Sequence, residues 1–461
     1  MHYDVVIIGA GMSGFAAGIR LAYFDKHVCI VEKHSAPGGL NSYYSLGGRH
    51  FDVGLHAVTN YASPEKRPAP LAKLLRQLRF QRDDFALCPQ GYSEIRFPGR
   101  TLRFTNDIEV LTSEVAREFP GEEDKFRRLL AKIEAYDDTR LDQAYKPARP
   151  ILRDALGEQG LIEMLLCPVM YYGSAQEHDM DFTQFVTIFK SLFFEGLARP
   201  RDGVRAIIRA LIEKFCGCGG ELKMNAGVEG IDVDNDRVTG LVLESGEQLT
   251  TDVVLSSAGY IETMRLCGGV GAAVPEDEPG RMSFVETIGV MDTLPQDLGH
   301  EATIVFFNDA DTFAYSQPAE LVDLRSGVVC CPSNYVSHED MEEGILRLTW
   351  MANCEKWLGM DEVAYRAAKQ GYLDEFVTRA NVYVPGFCDR VVCTDMFTPR
   401  TIRDYTGHIN GAVYGSPRKR RDGRTPIENL YICGTDQGFL GIIGAMLSGI
   451  SIANLQVLSK D

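Results

Sequence analysis

The 461-residue chain is short of three features that would place it in a class at once. It has no run of about 18 consecutive apolar residues, so we predict no transmembrane helix. The apolar run at residues 5–8 is too short for the core of a secretion signal. None of its 12 cysteines forms a Cys-x-x-Cys pair; the nearest spacings are Cys216 with Cys218 and the adjacent Cys330 and Cys331. We therefore predict no metal site and no disulfide relay, and expect a reducing compartment.

Basic residues are also in deficit, with 47 Lys and Arg against 64 Asp and Glu. The resulting net charge of -17 argues against nucleic acid as a partner. The basic stretch at residues 418–421 stands out in this background, and it indicates either a solvated loop or contact with anionic lipid headgroups. We expect a cytoplasmic protein and leave peripheral membrane association open. The sequence predicts no particular oligomeric state.

A glycine loop follows the first apolar run, residues 4–8, which is typical of a buried parallel strand. In this loop Gly9 permits a tight turn, Gly11 leaves room for a pyrophosphate, and Gly14 lets the next helix pack closely. Glu32 ends the second apolar run, 18 residues after Gly14, where a carboxylate accepts ribose hydroxyls. The residues predicted to contact a dinucleotide here are Gly9, Gly11, Met12, Ser13, Gly14 and Glu32. No second nucleotide fingerprint follows; the glycine-rich segment 267–272 has the wrong spacing.

The segment after Glu32 distinguishes FAD from NAD. The pair Gly38-Gly39 resembles the second fingerprint of glutathione-reductase-like FAD proteins, in the subgroup that holds amine oxidases and carotenoid desaturases. The resemblance implies that the following segment, residues 48–56, forms a hairpin beneath the flavin. It adds the following predicted FAD contacts: Lys33, Gly38, Gly39, Leu40, Asn41, Ser42, Gly54 and His56.

Two later segments complete the expected site. Residues 429–434 read as a strand ending in glycine, and the following small and apolar residues read as a helix to Leu455. Its N-terminus would stabilise negative charge on a reduced flavin. The family resemblance implies that Asp436 binds ribityl or pyrophosphate and that Val228 faces the adenine. The predicted contacts from these segments are Val228, Ala258, Gly434, Asp436, Gly441, Ile442 and Ile443.

The expected fold class is α/β: a glutathione-reductase-like, FAD-binding Rossmann domain with a discontinuous mixed α+β substrate domain. Residues 226–259 read as a β-meander and a strand that returns to the main sheet. We assign residues 1–66, 200–275 and 390–461 to the FAD-binding domain, and 67–199 and 276–389 to the substrate domain.

Nearly end to end, the chain resembles the phytoene-desaturase-like family, and most of all its carotenoid isomerase and retinol saturase branch. The likeness is carried by residues 51–56, 199–204 and 397–415 and by the Asp436 loop. It implies an FAD-dependent oxidoreductase that desaturates, saturates or isomerises a lipophilic polyene or isoprenoid. An amine-oxidase-like enzyme acting on a small polar substrate and a prenyl-binding protein of the GDP-dissociation-inhibitor type are the alternatives.

Two candidate features belong to the substrate side of the site. His56 follows the hairpin and is our candidate catalytic residue, either as a general base or as a hydrogen-bonded structural histidine. The phenylalanine-rich stretch 182–197 and the stretch 165–172 either line an apolar tunnel or belong to the core.

Overall fold

Two seven-stranded sheets organise the computed structural model, which describes residues 2–63, 69–141, 143–268, 278–336 and 341–460. The strands, in chain order, are β1 (His2–Ile8), β2 (Val28–Val31), β3 (Tyr43–Leu46), β4 (Arg49–Asp52), β5 (Leu87–Pro89), β6 (Ser93–Phe97), β7 (Arg100–Phe104), β8 (Ala198–Pro200), β9 (Glu221–Lys223), β10 (Val228–Asp234), β11 (Arg237–Leu243), β12 (Gln248–Ser256), β13 (Ser283–Met291), β14 (Ile304–Asn308), β15 (Val322–Cys330), β16 (Gly344–Ala352), β17 (Val391–Phe397) and β18 (Leu430–Ile432).

Fourteen α-helices are formed by the described residues. They are α1 (Met12–Ala22), α2 (Pro70–Leu78), α3 (Ile108–Glu118), α4 (Glu123–Ala135), α5 (Ala148–Ala155), α6 (Gln159–Tyr171), α7 (Phe182–Phe189), α8 (Val204–Gly217), α9 (Tyr260–Leu266), α10 (Cys354–Leu358), α11 (Glu362–Tyr383), α12 (Phe387–Arg390), α13 (Pro399–Thr406) and α14 (Gly441–Ile452).

The first sheet is the Rossmann sheet. Its path is β10-β11-β12-β1-β2-β9, and β18 pairs with the end of β12. The strands β18, β12, β1, β2 and β9 run parallel, whereas β10, β11 and the start of β12 form an antiparallel meander. The β-branched, apolar sequence of β1 explains its central place, since it is buried on both faces from Val5 to Ile8. The predicted meander and returning strand are confirmed.

Close helix packing holds this sheet. The helices α1, α8 and α14 pack with α2 in one apolar cluster on the sheet. At Gly449, a Cβ atom would lie 2.0 Å from the Ser13 carbonyl oxygen of α1, so the backbones of α1 and α14 approach too closely for a side chain. The glycine-rich composition of the C-terminal segment follows from that approach. The predicted C-terminal helix is confirmed, although its last turn, Ala453–Val457, is π-helical.

The second sheet has the order β17-β13-β16-β15-β14-β6-β7, antiparallel except for the parallel pair β14 and β6. The helices α3 to α7 cover one of its faces, and α11 and α12 pack with the opposite apolar cluster. The strand β17 pairs with β13 of this sheet, although the predicted boundary at residue 390 places it with the FAD-binding segments. The mixed α/β fold class with two sheet domains is confirmed. The boundaries at 66/67 and 275/276 lie outside the described residues.

The phenylalanine-rich stretch forms α7 and a π-helical turn, Lys190–Phe194. Its rings at positions 182, 185, 189 and 193 are buried among those of the helical cluster. Only Ile188 and Ser191 from this stretch reach the cavity described below. Of the two interpretations of the stretch, the structure therefore favours core.

Candidate functional site

A single large cavity of about 990 Å³ lies where the ends of the parallel strands meet the second sheet. This is the edge at which open α/β sheets bind their ligands. Nearly every residue predicted to hold FAD lines it; the exceptions are Gly14, Asp436 and Ile443. The lining residues from that set are Gly9, Gly11, Met12, Ser13, Glu32, Lys33, Gly38, Gly39, Leu40, Asn41, Ser42, Gly54, His56, Val228, Ala258, Gly434, Gly441 and Ile442. Residues far apart in sequence thus form one site.

The first end of the cavity has the geometry that a pyrophosphate requires. The helix α1 begins after Gly11, whose Cβ would meet no protein atom within 4 Å, so its free side is open cavity. No side chain caps this helix, and its first turn has no acidic residue. The free N–H groups and the positive helix end therefore face the cavity, where they stabilise an anion.

Glu32 closes the same end. Its carboxylate accepts hydrogen bonds from the backbone N–H of Ala10 (2.8 Å) and of His34 (3.0 Å). These bonds fix the carboxylate between the glycine loop and the segment that follows β2. The Gly38 N–H donates to the Ala10 carbonyl at 2.8 Å, which places the second glycine pair directly against the first loop. The two fingerprints form one continuous wall of the cavity.

A second helix N-terminus also lies at the cavity. The helix α14 begins at Gly441, again without a side-chain cap and without an acidic residue in its first turn. Gly441 and Ile442 line the cavity, whereas Ile443 is fully buried in the core behind them. The two uncapped helix ends fit a ligand with negative charge at two separate places, as in the pyrophosphate and the reduced ring of FAD.

Asp436 does not face the cavity. Its side chain is 1% exposed, and its carboxylate accepts from the N–H groups of Tyr260 (2.6 Å) and Ser416 (2.8 Å). It therefore holds the β18 loop to α9 and to the segment after Tyr414, so a direct contact with ribityl or pyrophosphate does not follow from its position. Gly14 likewise serves packing inside the protein and does not line the cavity. A Cβ at Gly14 would lie 2.1 Å from the Gly9 carbonyl oxygen, so only glycine lets α1 approach the loop this closely.

The basic stretch at residues 418–421 is neither a solvated loop nor an open patch, except at exposed Arg418. Lys419 lies 3.9 Å from the Asp436 carboxylate and donates to the Tyr414 carbonyl; burial lowers its pKa to about 8 although Asp436 opposes the shift. Arg420 stacks on the Tyr260 ring, and Arg421 pairs with Asp181 at 2.7 Å. Lys419 and Arg420 therefore join cofactor-side segments to one another, and Arg421 ties this stretch to Asp181, just before α7.

The other end of the cavity is apolar and rich in aromatic rings. It is lined by Ala57, Tyr171, Tyr172, Ile188, Phe284, Val328, Val413, Tyr414, Phe439 and Leu440. Burial raises the pKa of the Tyr172 phenol far above its ordinary value, so this hydroxyl is neutral. Such a lining suits a largely apolar ligand with a few polar groups to orient it.

An ionic cluster lies within this apolar end and was missed from the sequence. Glu286 of β13 pairs with Arg347 of β16, and its second oxygen lies 3.4 Å from His56 Nε2. The Thr349 hydroxyl lies 3.1 Å from the same nitrogen. Burial alone would raise the pKa of Glu286, but the Arg347 charge and the contact with His56 outweigh burial and hold the pKa below its ordinary value. The cluster therefore presents a carboxylate inside the cavity.

Buried arginines fix the loop that carries His56. Arg347 donates to the Leu55 carbonyl at 3.1 Å and to the Val53 carbonyl. Arg199 pairs with Asp52 and donates to the His56 carbonyl at 3.2 Å. The Asp52 carboxylate also accepts from the first N–H of α8 at 3.0 Å. These bonds explain the Asp52 and Arg199 motifs, whose spacing alone revealed no role.

Comparison with known proteins agrees with the geometry. Residues 7–77 match a family model described as "NAD(P)-binding Rossmann-like domain". A chloroplastic prolycopene isomerase of Daucus carota is 22% identical over 98% of this chain and 80% of its own length. A lycopene-forming phytoene desaturase of Pseudescherichia vulneris is 25% identical over 98% of both chains. These relatives support an FAD-dependent oxidoreductase, and over nearly its whole length the chain is similar to phytoene desaturases and prolycopene isomerases.

Solved structures similar to this chain support the fold alone. An oxidoreductase of Methanosarcina mazei has a TM-score of 0.68 at 15% identity and covers 98% of this chain and 100% of its own. A putrescine oxidase variant has a TM-score of 0.65 at 15% identity, covering 100% and 99%. Among the described helices, none combines the length and the apolar character that crossing a bilayer requires.

Proposed function

We propose that this enzyme uses FAD to desaturate, saturate or isomerise a long lipophilic polyene. One observation carries the proposal: the wall formed by the two glycine fingerprints and the aromatic pocket around Tyr172 belong to the same cavity. The dinucleotide and a second, apolar ligand would therefore meet inside the protein. Relatives that cover nearly the whole chain are named for phytoene and prolycopene, which are such ligands.

In this proposal one group of cavity residues would hold FAD and another would bind the substrate. The α1 and Gly38-Gly39 wall would hold the pyrophosphate, and Glu32 the adenosine ribose. The N–H groups at the start of α14 would face the flavin ring, where a positive helix end stabilises negative charge. Bound FAD supplies a two-electron acceptor or donor at this position. The aromatic end would exclude water and align the polyene chain against it.

The test is direct. Protein purified with bound FAD is mixed anaerobically with phytoene in phosphatidylcholine vesicles, and in parallel with prolycopene, and pigment products and flavin absorbance are followed. We expect conversion of at least one polyene and none of putrescine. Turnover of putrescine alone would support the amine-oxidase-like alternative. A protein that binds prenylated peptide but takes up no FAD would support the alternative of the GDP-dissociation-inhibitor type.

Delivery of so apolar a substrate implies contact with a lipid phase, so we include peripheral membrane association at a cytoplasmic location in the proposal. The anchored side chains of residues 419–421 make this stretch a poor lipid contact. Co-sedimentation with neutral and with anionic vesicles tests the point. Binding to neither would show that the substrate reaches the protein through a carrier.

A further inference from the structure

The ionic cluster at the aromatic end is built from three separate elements. Glu286 comes from β13, Arg347 and Thr349 from the neighbouring strand β16, and His56 from the loop after β4. The side chains of Glu286 and His56 are each 13% exposed, and both line the cavity. Arg347 is 2% exposed and lies behind them. Charged groups are costly in such surroundings, and their retention beside a ligand cavity points to a chemical task.

The hydrogen bonds around the imidazole define its tautomer. Nε2 faces two acceptors, the Glu286 carboxylate at 3.4 Å and the Thr349 hydroxyl at 3.1 Å. We therefore assign the ring proton to Nε2. Across the described part of the chain, no hydrogen bond reaches Nδ1, whose lone pair is then available. A carboxylate that holds one ring nitrogen and leaves the other basic is the arrangement found in hydrolytic triads.

The other groups around His56 add no competing charge to this arrangement. Arg199 of β8 contacts only its carbonyl oxygen, as do the Tyr335 hydroxyl at 3.0 Å and the Cys330 thiol at 3.7 Å. The charge of Arg199 is matched by its ion pair with Asp52. Tyr172, with its ring centroid 6.5 Å from that of the imidazole, keeps its proton because burial raises its pKa.

We propose that His56 is the proton acceptor of the reaction and that Glu286, held by Arg347, is its positioning residue. The inference rests on the proposed polyene function. In desaturation, one C–H bond of the substrate breaks and its hydrogen leaves with the electron pair, for which FAD held at the α1 and α14 helix ends would be the acceptor. The neighbouring C–H bond breaks, its electron pair forms the new double bond, and its proton goes to Nδ1 of His56. Saturation is the reverse, with the proton returned from the imidazolium, whose charge Glu286 stabilises.

The first experiment needs no substrate. FAD-loaded protein is treated with diethyl pyrocarbonate, and modification of each histidine is timed by peptide mass spectrometry. His2, with a side chain 58% exposed, serves as the internal standard. At an alkaline pH, where the imidazoles of both proteins are neutral, we expect Glu286→Gln to slow modification of His56 at least fivefold relative to His2. The control is Glu94→Gln, a buried carboxylate paired with Arg96 and Arg103 on the same sheet but outside the cavity, and it should change nothing.

Two outcomes of this experiment would overturn the inference. Equal rates in Glu286→Gln and the wild type would mean that the carboxylate does not make the imidazole basic. No modification of His56 in the wild type would mean that a small molecule entering the cavity does not reach it. Neither outcome depends on the identity of the substrate, so the polyene proposal is judged separately.

The second experiment follows flavin reduction by phytoene in phosphatidylcholine vesicles. We expect His56→Ala to slow reduction about 100-fold or more per bound FAD, which is the usual contribution of a general base. Added imidazole should restore at least a tenth of the lost rate, which a structural role would not explain. A rate within threefold of the wild type, or no rescue, refutes the proton acceptor. Absence of reduction in the wild type instead refutes phytoene as substrate, and the histidine chemistry still decides the inference.

Discussion

In the first glycine loop, Gly11 leaves room for the pyrophosphate and Gly14 lets α1 pack on the strand. Matched substitutions at these two glycines separate cofactor binding from stability. Gly11 has φ of -81° and ψ of 179°, which an alanine adopts without strain, and its Cβ would meet nothing within 4 Å. We expect Gly11→Ala to leave the apoprotein as stable as the wild type, or to raise its free energy of unfolding by up to about 1 kcal/mol. The added methyl would occupy the space predicted for the pyrophosphate.

The cost to FAD binding follows from that position. Overpacking a well-fitted contact costs about 1–3 kcal/mol, and a weakened hydrogen bond from a backbone N–H to a charged group adds about 1.5 kcal/mol or more. A loss of about 3 kcal/mol corresponds to a dissociation constant for FAD raised about 100-fold. FAD titration of the apoprotein, followed by flavin fluorescence, measures it directly.

Gly14→Ala is the matched control, with the opposite outcome. Its Cβ would lie 2.1 Å from the Gly9 carbonyl oxygen, so α1 has to move away from the strand. We expect the free energy of unfolding of the apoprotein to fall by about 2–3 kcal/mol in urea titrations. If Gly11→Ala binds FAD as tightly as the wild type while remaining folded, the pyrophosphate does not pass over Gly11 and the assignment of the loop is refuted.

Three further results are expected from buried charges. Arg347→Met removes the guanidinium partner of the Glu286 carboxylate and should lower the free energy of unfolding by about 3–5 kcal/mol. The double variant with Glu286→Leu should recover part of this loss. A cost under about 1 kcal/mol for the single change in urea titrations would contradict the prediction. Glu262 raises the pKa of His408 despite its burial, so the folded protein binds that proton more tightly than the unfolded chain. The stability this gives is complete below about pH 6.5 and is lost as pH rises through the raised pKa, and His408→Asn should remove that slope. Burial lowers the pKa of Lys419 to about 8, so wild-type stability should rise relative to Lys419→Met between pH 8 and about 10; parallel curves would refute it.

Local sequence was sufficient for the cofactor half of the fold. The strand β1, the glycine turn and the start of α1 are contiguous, and the local backbone itself requires Gly9, with φ of 97°, and Gly14, which packs on the Gly9 carbonyl. Gly38-Gly39 was found through the family resemblance, and the C-terminal helix through its run of small and apolar residues. The helix α1 begins at Met12, within the glycine loop, because the Phe15 N–H already donates to the Gly11 carbonyl at 3.1 Å.

The substrate half was hidden because its residues are brought together only by strand register. Glu286 and Arg347 lie 61 positions apart, on β13 and β16, and the antiparallel pairing of these strands places them near each other. His56 joins them from a loop that Arg199 and Arg347 hold in place. Neither strand has a sequence signature, since an isolated Glu or Arg in an apolar run is also compatible with a surface position.

Asp436 shows the same division within a single motif. The sequence placed an acid beside the flavin-side helix, but the direction of its carboxylate depends on Tyr260 and Ser416, which come from distant segments. By itself the sequence determined that a strand, a glycine loop and a helix would present a dinucleotide site ending at Glu32, because those features are local backbone geometry; the resemblance added Gly38-Gly39 and the role of the C-terminal helix. Only the tertiary structure decided which side chains share the cavity with that ligand, because ion pairs between remote strands exist only once the sheets are assembled.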